Sequence, residues 1–187
     1  MADIARVCLI LAFAVCLYAV AALAISARRD LPRFQSSARN GLIASCVLFS
    51  LAMETMIYAL LTNDFSIGLV ARYSSADLSA PYQIAALYSS KEGSLMVWGW
   101  LISLMTAISV FVSRPSPEAP HALGILAAVQ AFFLALITLV TDIFKAAPTP
   151  LSGAGLNPLL QNVGMLLHPP LLFLGFAASA VVFAFTL

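Results

Sequence analysis

Five runs of mostly apolar residues divide this chain, and each is close in length to a helix that crosses a membrane. They cover roughly residues 4–26, 41–62, 94–113, 122–141 and 169–187. The hydrocarbon core of a bilayer takes about 20 apolar residues per helix. Backbone polar groups in lipid must also be hydrogen-bonded within the protein, which favours helices. The runs therefore predict an all-α integral membrane protein with about five transmembrane helices and a short interfacial helix before the last.

Composition supports this prediction and excludes several other classes of protein. The chain is 62% hydrophobic and 9% charged, whereas a soluble domain has about 25% charged residues. Its net charge of +1 gives no indication of nucleic-acid binding. The three cysteines, Cys8, Cys16 and Cys46, lie inside apolar runs without metal-site spacing, so we interpret them as small core hydrophobes. The sequence contains no phosphate loop, catalytic triad or zinc motif, and we assign no catalytic residue.

Arginines predict the orientation of the helices. The connection from Ala27 to Asn40 holds four of them: Arg28, Arg29, Arg33 and Arg39. The positive-inside rule places this loop in the cytoplasm. Helix alternation then places the N-terminus and two long loops, 63–93 and 142–168, on the outer side. Because long loops often bind something, we expect the functional face to be the outer one. We treat 1–187 as a single transmembrane helical unit.

The segment 157–170 contains the strongest candidate for a ligand-binding residue. It reads Asn-Pro-Leu-Leu-Gln-Asn-Val-Gly-Met-Leu-Leu-His-Pro-Pro, and His168 is one of two histidines in the chain. Proline disfavours a helical conformation in the residue before it and is tolerated in a first helical turn. We therefore predict a short surface helix, a break at His168, and a span that Pro169-Pro170 opens. An imidazole at such a break is either a metal ligand or simply an interfacial side chain. The other histidine, His121, is interpreted as a surface residue.

The outer loop 63–93 carries aromatic and basic residues with two possible roles. Tyr73, Tyr82 and Tyr88 fit an aromatic belt at the membrane interface. Alternatively, they form a platform for a flat anionic ligand, whose carboxylates would pair with Arg72 and Lys91.

The start of the third apolar run suggests a second candidate region. Ser94 is positioned to cap the helix, and Gly93 would allow another backbone to approach closely. Trp98 and Trp100 fit either a membrane-anchoring belt or stacking on a cofactor.

Glu54 is the one carboxylate well inside an apolar run. A charged group at that depth must face the bundle interior, a cavity or a partner. The simpler interpretation is a protonated side chain bonded to Ser50 or Tyr58. Proton handling or contact with a quinol is the alternative.

Three segments resemble the CcmF/NrfE family of cytochrome c haem lyases. Residues 58–66, Tyr-Ala-Leu-Leu-Thr-Asn-Asp-Phe-Ser, are similar to the end of its second span. Residues 92–98, Glu-Gly-Ser-Leu-Met-Val-Trp, are similar to its His-Glu-Gly-Ser-Leu-Leu-Leu-Trp motif, with Lys91 where the family often has His. Segment 157–170 is similar to its Asn-Pro-Leu-Leu-Gln-Asp and His-Pro-Pro motifs. The resemblance extends along nearly the whole chain and implies the N-terminal part of a larger haem lyase.

The resemblance implies a function in cytochrome c maturation at the bacterial inner membrane, or the mitochondrial one in a eukaryote. Such proteins receive haem from a CcmE-like chaperone and, with CcmH- and CcmI-like subunits, promote its attachment to apocytochrome c. It implies that His168 is one axial ligand of a transiently bound haem b, with the second ligand outside these residues. The candidate haem contacts are His168, which is also the metal ligand, Trp98 and Arg72. The alternative function is a non-catalytic scaffold that anchors partner subunits.

Overall fold

The computed structural model describes residues 1–29, 31–113, 119–148 and 152–186. The regular secondary structure in these ranges is helical, apart from one isolated antiparallel bridge between Ile67 and Ala146. The helices are α1 (Ala2–Arg29), α2 (Pro32–Leu61), α3 (Gly68–Tyr73), α4 (Ala80–Tyr88), α5 (Lys91–Val112), α6 (Ala119–Ala135) and α7 (Val163–Thr186). A π-helical turn, Leu136–Val140, extends α6, and a 3₁₀ turn, Pro158–Leu160, precedes α7. Five helices in this part of the chain are long and apolar enough to cross a membrane, which confirms the predicted fold class.

Helix α2 begins nine residues before the second apolar run, so the predicted loop from Ala27 to Asn40 is mostly helical. Pro32 occupies its first turn, where a missing N–H costs nothing. Arg39 fixes this polar extension, because its guanidinium donates to the Val110 carbonyl and to Ser113 Oγ near the end of α5. The arginines therefore cluster at one end of the bundle on helices rather than in an extended loop.

Small and polar side chains form the centre of the bundle. Ser45 Oγ donates to the Ala12 carbonyl at 2.8 Å, and Gln130 Nε2 donates to Ser45 Oγ and Ser103 Oγ at 3.0 Å each. These bonds join α1, α2, α5 and α6. Small residues let helix backbones approach closely in a membrane protein. Cys16 and Cys46 are buried here and Cys8 is partly buried, in keeping with their predicted role as core residues.

The N-terminus and both long loops meet at the opposite end of the bundle from the arginines. Arg6 forms two bonds to the Asp142 carboxylate, at 3.1 and 3.2 Å, and one to the Phe144 carbonyl. The two loops are joined by backbone bonds, such as Gly68 N to the Lys145 carbonyl at 2.7 Å. Helix alternation requires this common end, which we name the loop end. Its assignment to the outer membrane face stays a prediction from the arginine pattern.

Helix α7 differs from the predicted arrangement. The helical conformation is interrupted between the 3₁₀ turn and Val163. From there α7 continues through His168, Pro169 and Pro170. The predicted break and extended conformation at His168 are therefore wrong. Packing covers only one side of α7, at α4, α5 and α6, and within its described residues only Ala177 and Ala184 are buried.

Candidate functional site

His168 lies in the second turn of α7, near the loop end, and its side chain is exposed. The start of α7 is fixed by Asn162, whose Oδ1 accepts from Met165 N at 3.0 Å and whose Nδ2 donates to the Leu159 carbonyl at 2.9 Å. This cap satisfies a backbone N–H that has no partner within the helix. Within the described residues, His168 forms no hydrogen bond or ion pair that would compete with a ligand.

The two prolines leave carbonyls on α7 without their usual donors. A proline has no N–H, so Pro169 and Pro170 cannot donate to the carbonyls of Met165 and Leu166, four residues earlier. Prolines are tolerated in membrane helices where a neighbouring group replaces the lost bond. Here the Tyr88 hydroxyl donates to the Leu166 carbonyl at 3.4 Å. This contact supplies one of the two lost donors from another helix, at the turn where the local rule predicts a break.

Tyr88 is the last residue of α4, and its side chain is buried in the corner between α4 and α5. Burial raises the pKa of its phenol above the ordinary value for tyrosine. Its backbone carbonyl accepts from Ser94 Oγ at 2.8 Å, which fixes the residue to α5. Tyr88 is thus a core residue rather than part of an interfacial belt.

The capping residue of α5 is Ser90 and not Ser94, so that prediction is wrong. Ser90 has an extended backbone, and its Oγ accepts from Gly93 N at 2.9 Å. Ser94 therefore lies inside the helix, where its hydroxyl bonds to carbonyls of the preceding turn. The prediction for Gly93 is confirmed, because a Cβ there would collide with the Leu87 carbonyl.

Trp98 packs between helices. Its ring centroid is 4.9 Å from that of Phe133 on α6, and 5.3 and 6.2 Å from those of Phe176 and Phe173 on α7. Its indole N–H is buried and has no hydrogen-bond partner among the described residues. Trp100 also points inward, and its Nε1 donates to Ser50 Oγ at 2.9 Å. Both indoles therefore pack against neighbouring helices, and the belt interpretation stays a prediction.

Arg72 is exposed on α3 and bonds locally. Its Nε donates to the Gly68 carbonyl at 3.1 Å, and its guanidinium lies 6.0 Å from the centre of the Tyr73 ring. Lys91 is exposed at the start of α5. In the described part of the chain neither residue forms an ion pair, and no hydrogen bond or ring contact joins Arg72 to Trp98 or His168. The platform with Arg72 thus stays a prediction.

Glu54 faces outward from α2. It lines a groove of about 350 Å³ between α1 and α2, together with Cys8 and Tyr58. Among the described residues it bonds to neither Ser50 nor Tyr58, contrary to the simpler interpretation. Ser50 Oγ is within reach of α5 instead, where it accepts from Trp100 Nε1.

The two histidines lie at opposite ends of the bundle. His121 is exposed at the start of α6, beside Ala24 and Ala27 of α1, at the arginine end. No group of three or more metal-binding side chains occurs within the described ranges. Within the described residues, the loop end therefore has one imidazole, that of His168, to offer to an iron ion. A six-coordinate iron with two axial histidines would need its second histidine from another segment or chain.

Sequence reasoning did not identify Tyr88 or Asn162 as supports of the His168 segment. The need for a donor such as Tyr88 could have been predicted, because a proline pair inside a helix leaves two backbone carbonyls without their usual N–H donors. The identity of the donor depends on a contact across 78 residues, which local patterns do not encode.

Comparisons with known proteins give a consistent result. The family model described as "Cytochrome C assembly protein" matches residues 88–187. The chain is 32% identical over 190 residues to the cytochrome c-type biogenesis protein CcmF of Pseudomonas aeruginosa, covering 99% of this chain and 29% of that protein. It is 34% identical over 151 residues to CcmF of Haemophilus influenzae, covering 79% of this chain and 23% of that protein.

A solved structure supports the same fold. The chain superposes on the structure titled "Cytochrome c Heme Lyase CcmF" with a TM-score of 0.85 and 24% identity, over 98% of this chain and 29% of that one. The chain thus spans less than a third of the length of these relatives.

Proposed function

Because the chain belongs to the cytochrome c assembly protein family, and within it to the CcmF proteins, we propose that it handles haem during cytochrome c maturation. In this proposal haem is a transiently bound cargo, a haem b, and His168 is one of its axial ligands. The chain acts as part of a haem lyase, in a bacterial inner membrane or a mitochondrial one.

The observation that carries the proposal is the setting of His168. Its imidazole is exposed at the loop end, on a helix whose start is capped by Asn162 and bonded to Tyr88. Haem iron takes a neutral imidazole as an axial ligand, and the protein tunes the site through neighbouring groups and burial. A supported turn that presents an exposed imidazole suits both capture and release of haem.

Other residues of the chain would orient the haem. Arg72 would pair with its carboxylates, as guanidinium groups do in a charge-assisted bond. Trp98 would support the site through α7, because its ring packs against that of Phe173, five residues beyond His168. The second axial ligand would come from outside residues 1–187.

Thioether formation joins the haem vinyl groups to the thiols of the apocytochrome, and this chemistry belongs to the haem and its acceptor. The protein's contribution is to hold and orient the two reactants. The partners we propose are a CcmE-like haem chaperone, CcmH- and CcmI-like subunits, apocytochrome c and the remaining segments of a CcmF-like protein.

The test in cells is replacement of His168 by Ala in the full-length protein, with holocytochrome c measured by haem staining. We expect loss of holocytochrome with normal amounts of the membrane protein. His121→Ala is the matched control, because it removes the histidine at the other end of the bundle. Normal holocytochrome in the His168 variant would reject the ligand role.

The open side of α7 supports a second candidate function, a scaffold that anchors partner subunits without binding haem. Large apolar side chains such as Leu171, Val182 and Phe183 are exposed there. Exposed apolar surface is also ordinary on a helix that faces lipid. Comparison of Gly175→Leu with Ala177→Leu therefore decides whether this side of α7 binds a partner helix or faces lipid.

A further inference from the structure

We propose that Tyr88 is a positioning residue for His168, because its hydroxyl replaces the backbone donor that Pro170 removes from α7. The link to haem rests on the proposed function. The link between Tyr88 and the conformation of α7 does not, and it is tested separately.

The first step concerns the carbonyl of Leu166. In an uninterrupted helix it would accept from the N–H of residue 170, which is proline here. Leu166 is half-buried, and a carbonyl that lacks a donor where water is excluded costs free energy. The Tyr88 hydroxyl, 3.4 Å away, provides the donor. This hydrogen bond therefore belongs to the backbone structure of α7 although its donor comes from α4.

The second step concerns the rigidity of the donor. The Tyr88 carbonyl shares the hydroxyl proton of Ser94 with the Ser90 carbonyl, at 2.8 and 2.7 Å, and Ser90 caps α5 by accepting from Gly93 N. Gly93 lies directly against the Leu87 carbonyl, with no space for a Cβ. Short polar bonds and a glycine contact thus lock the corner between α4 and α5, so the phenol has a fixed position.

The third step concerns His168 itself. Leu166 precedes it by two residues, in the same helical turn. Two successive prolines weaken the bonds between this turn and the rest of α7, and helices kink at such positions. The turn is held instead by the Asn162 cap at one end and by Tyr88 at its side. The segments 88–94 and 162–170, which are far apart in the sequence, are therefore joined by the bond from Tyr88 to the Leu166 carbonyl.

The test combines Tyr88→Phe with Pro170→Ala in the full-length protein in nanodiscs. Alanine at position 170 restores an N–H that reaches the Leu166 carbonyl within the helix, so the phenol hydroxyl becomes dispensable. The matched control is Tyr82→Phe, which removes a hydroxyl from the same helix α4. Tyr82 is half-buried, and its hydroxyl makes no hydrogen bond in the described part of the chain.

The first measurement is amide hydrogen exchange over residues 163–172, which needs no haem. One hydrogen bond has a net worth that corresponds to about three- to tenfold in an equilibrium constant. We expect exchange to be faster by about this factor in Tyr88→Phe, unchanged in Tyr82→Phe, and restored when Pro170→Ala is added. Unchanged exchange in Tyr88→Phe, or an equal increase with and without Pro170→Ala, would overturn the inference.

The second measurement is the dissociation constant for added ferric haem, with its visible spectrum. Tyr88→Phe should bind ferric haem about three- to tenfold more weakly, with Pro170→Ala again removing the difference. If His168→Ala binds haem normally, the proposed function fails while the exchange result still decides the role of Tyr88. If His168→Ala fails to bind and Tyr88→Phe binds normally, the positioning role is rejected and the ligand role stands.

Discussion

At the scale of single residues, the corner between α4 and α5 has no room for a side chain at Gly93. We expect Gly93→Ala to destabilise the protein by about 1–3 kcal/mol, the usual cost of overpacking. The added Cβ would meet the Leu87 carbonyl and Ser90 Oγ. This cost exceeds the gain of about 1 kcal/mol from replacing glycine in a helix. Thermal unfolding in detergent measures the difference.

The control for this substitution is Gly175→Ala on α7, where a Cβ would meet nothing within 4 Å. Its stability should be unchanged or slightly increased. Equal unfolding temperatures for the two variants would show that the corner can relax and that the close contact is unimportant.

A pH dependence follows from the raised pKa of Tyr88. Burial disfavours the phenolate, so the folded-state pKa lies above the unfolded value of about 10. The stabilising contribution is fully present below the unfolded pKa and is lost as the pH rises through the folded one. We expect the unfolding temperature to fall above about pH 10, and to fall less in Tyr88→Phe than in Tyr82→Phe. Identical alkaline profiles for the two variants would contradict this expectation.

At the scale of elements, Arg6 connects α1 to the loop that precedes α7. Its two bonds to Asp142 are partly exposed, with 37% and 53% of the two side chains accessible. We therefore expect only about 0.5–1 kcal/mol of destabilisation from Asp142→Asn, decreasing in high salt. Asp3→Asn is the control, because Asp3 contacts the same arginine but is 92% exposed. Equal stability of Asp142→Asn and the wild type would show that the loop contact contributes nothing.

The two sides of α7 offer a direct comparison between packing and docking. Gly175 lies on the open side, whereas Ala177 is fully buried. Gly175→Leu should leave the unfolding temperature unchanged but release any partner helix that docks there, as measured by co-purification of the complex. Ala177→Leu should lower stability by about 1–3 kcal/mol through overpacking. A complex that tolerates Gly175→Leu would indicate that this side of α7 faces lipid.

The five long helices could be predicted because a membrane span depends on length and apolar content, which the sequence states directly. Their ends could not. Helix α2 extends through polar turns that Arg39 fixes to α5, and α7 continues through Pro169 and Pro170, where Tyr88 supplies the donor that Pro170 removes. Both effects are long-range contacts. The inward direction of the Trp98 side chain could not be predicted either, because apolar residues occur on every face of α5.

At the scale of the whole molecule, the bundle has two distinct ends. The arginine end carries His121, and the loop end gathers the N-terminus, α3, α4 and the start of α7 with His168. The candidate site could be predicted as far as the residue His168 and its end of the bundle. Its support by Tyr88 depends on a contact between distant segments, and the chain spans less than a third of the length of its relatives.

The most direct test of the central proposal is the axial ligation of ferric haem by His168 in the full-length protein. Optical and electron paramagnetic resonance spectra of the wild type should report a histidine ligand. His168→Ala should lose this signature and weaken haem binding by at least about tenfold, the effect that even an outer-shell change has on a metal site. Added imidazole should restore the signature, and His121→Ala should resemble the wild type. A histidine signature that persists in His168→Ala would contradict the proposal.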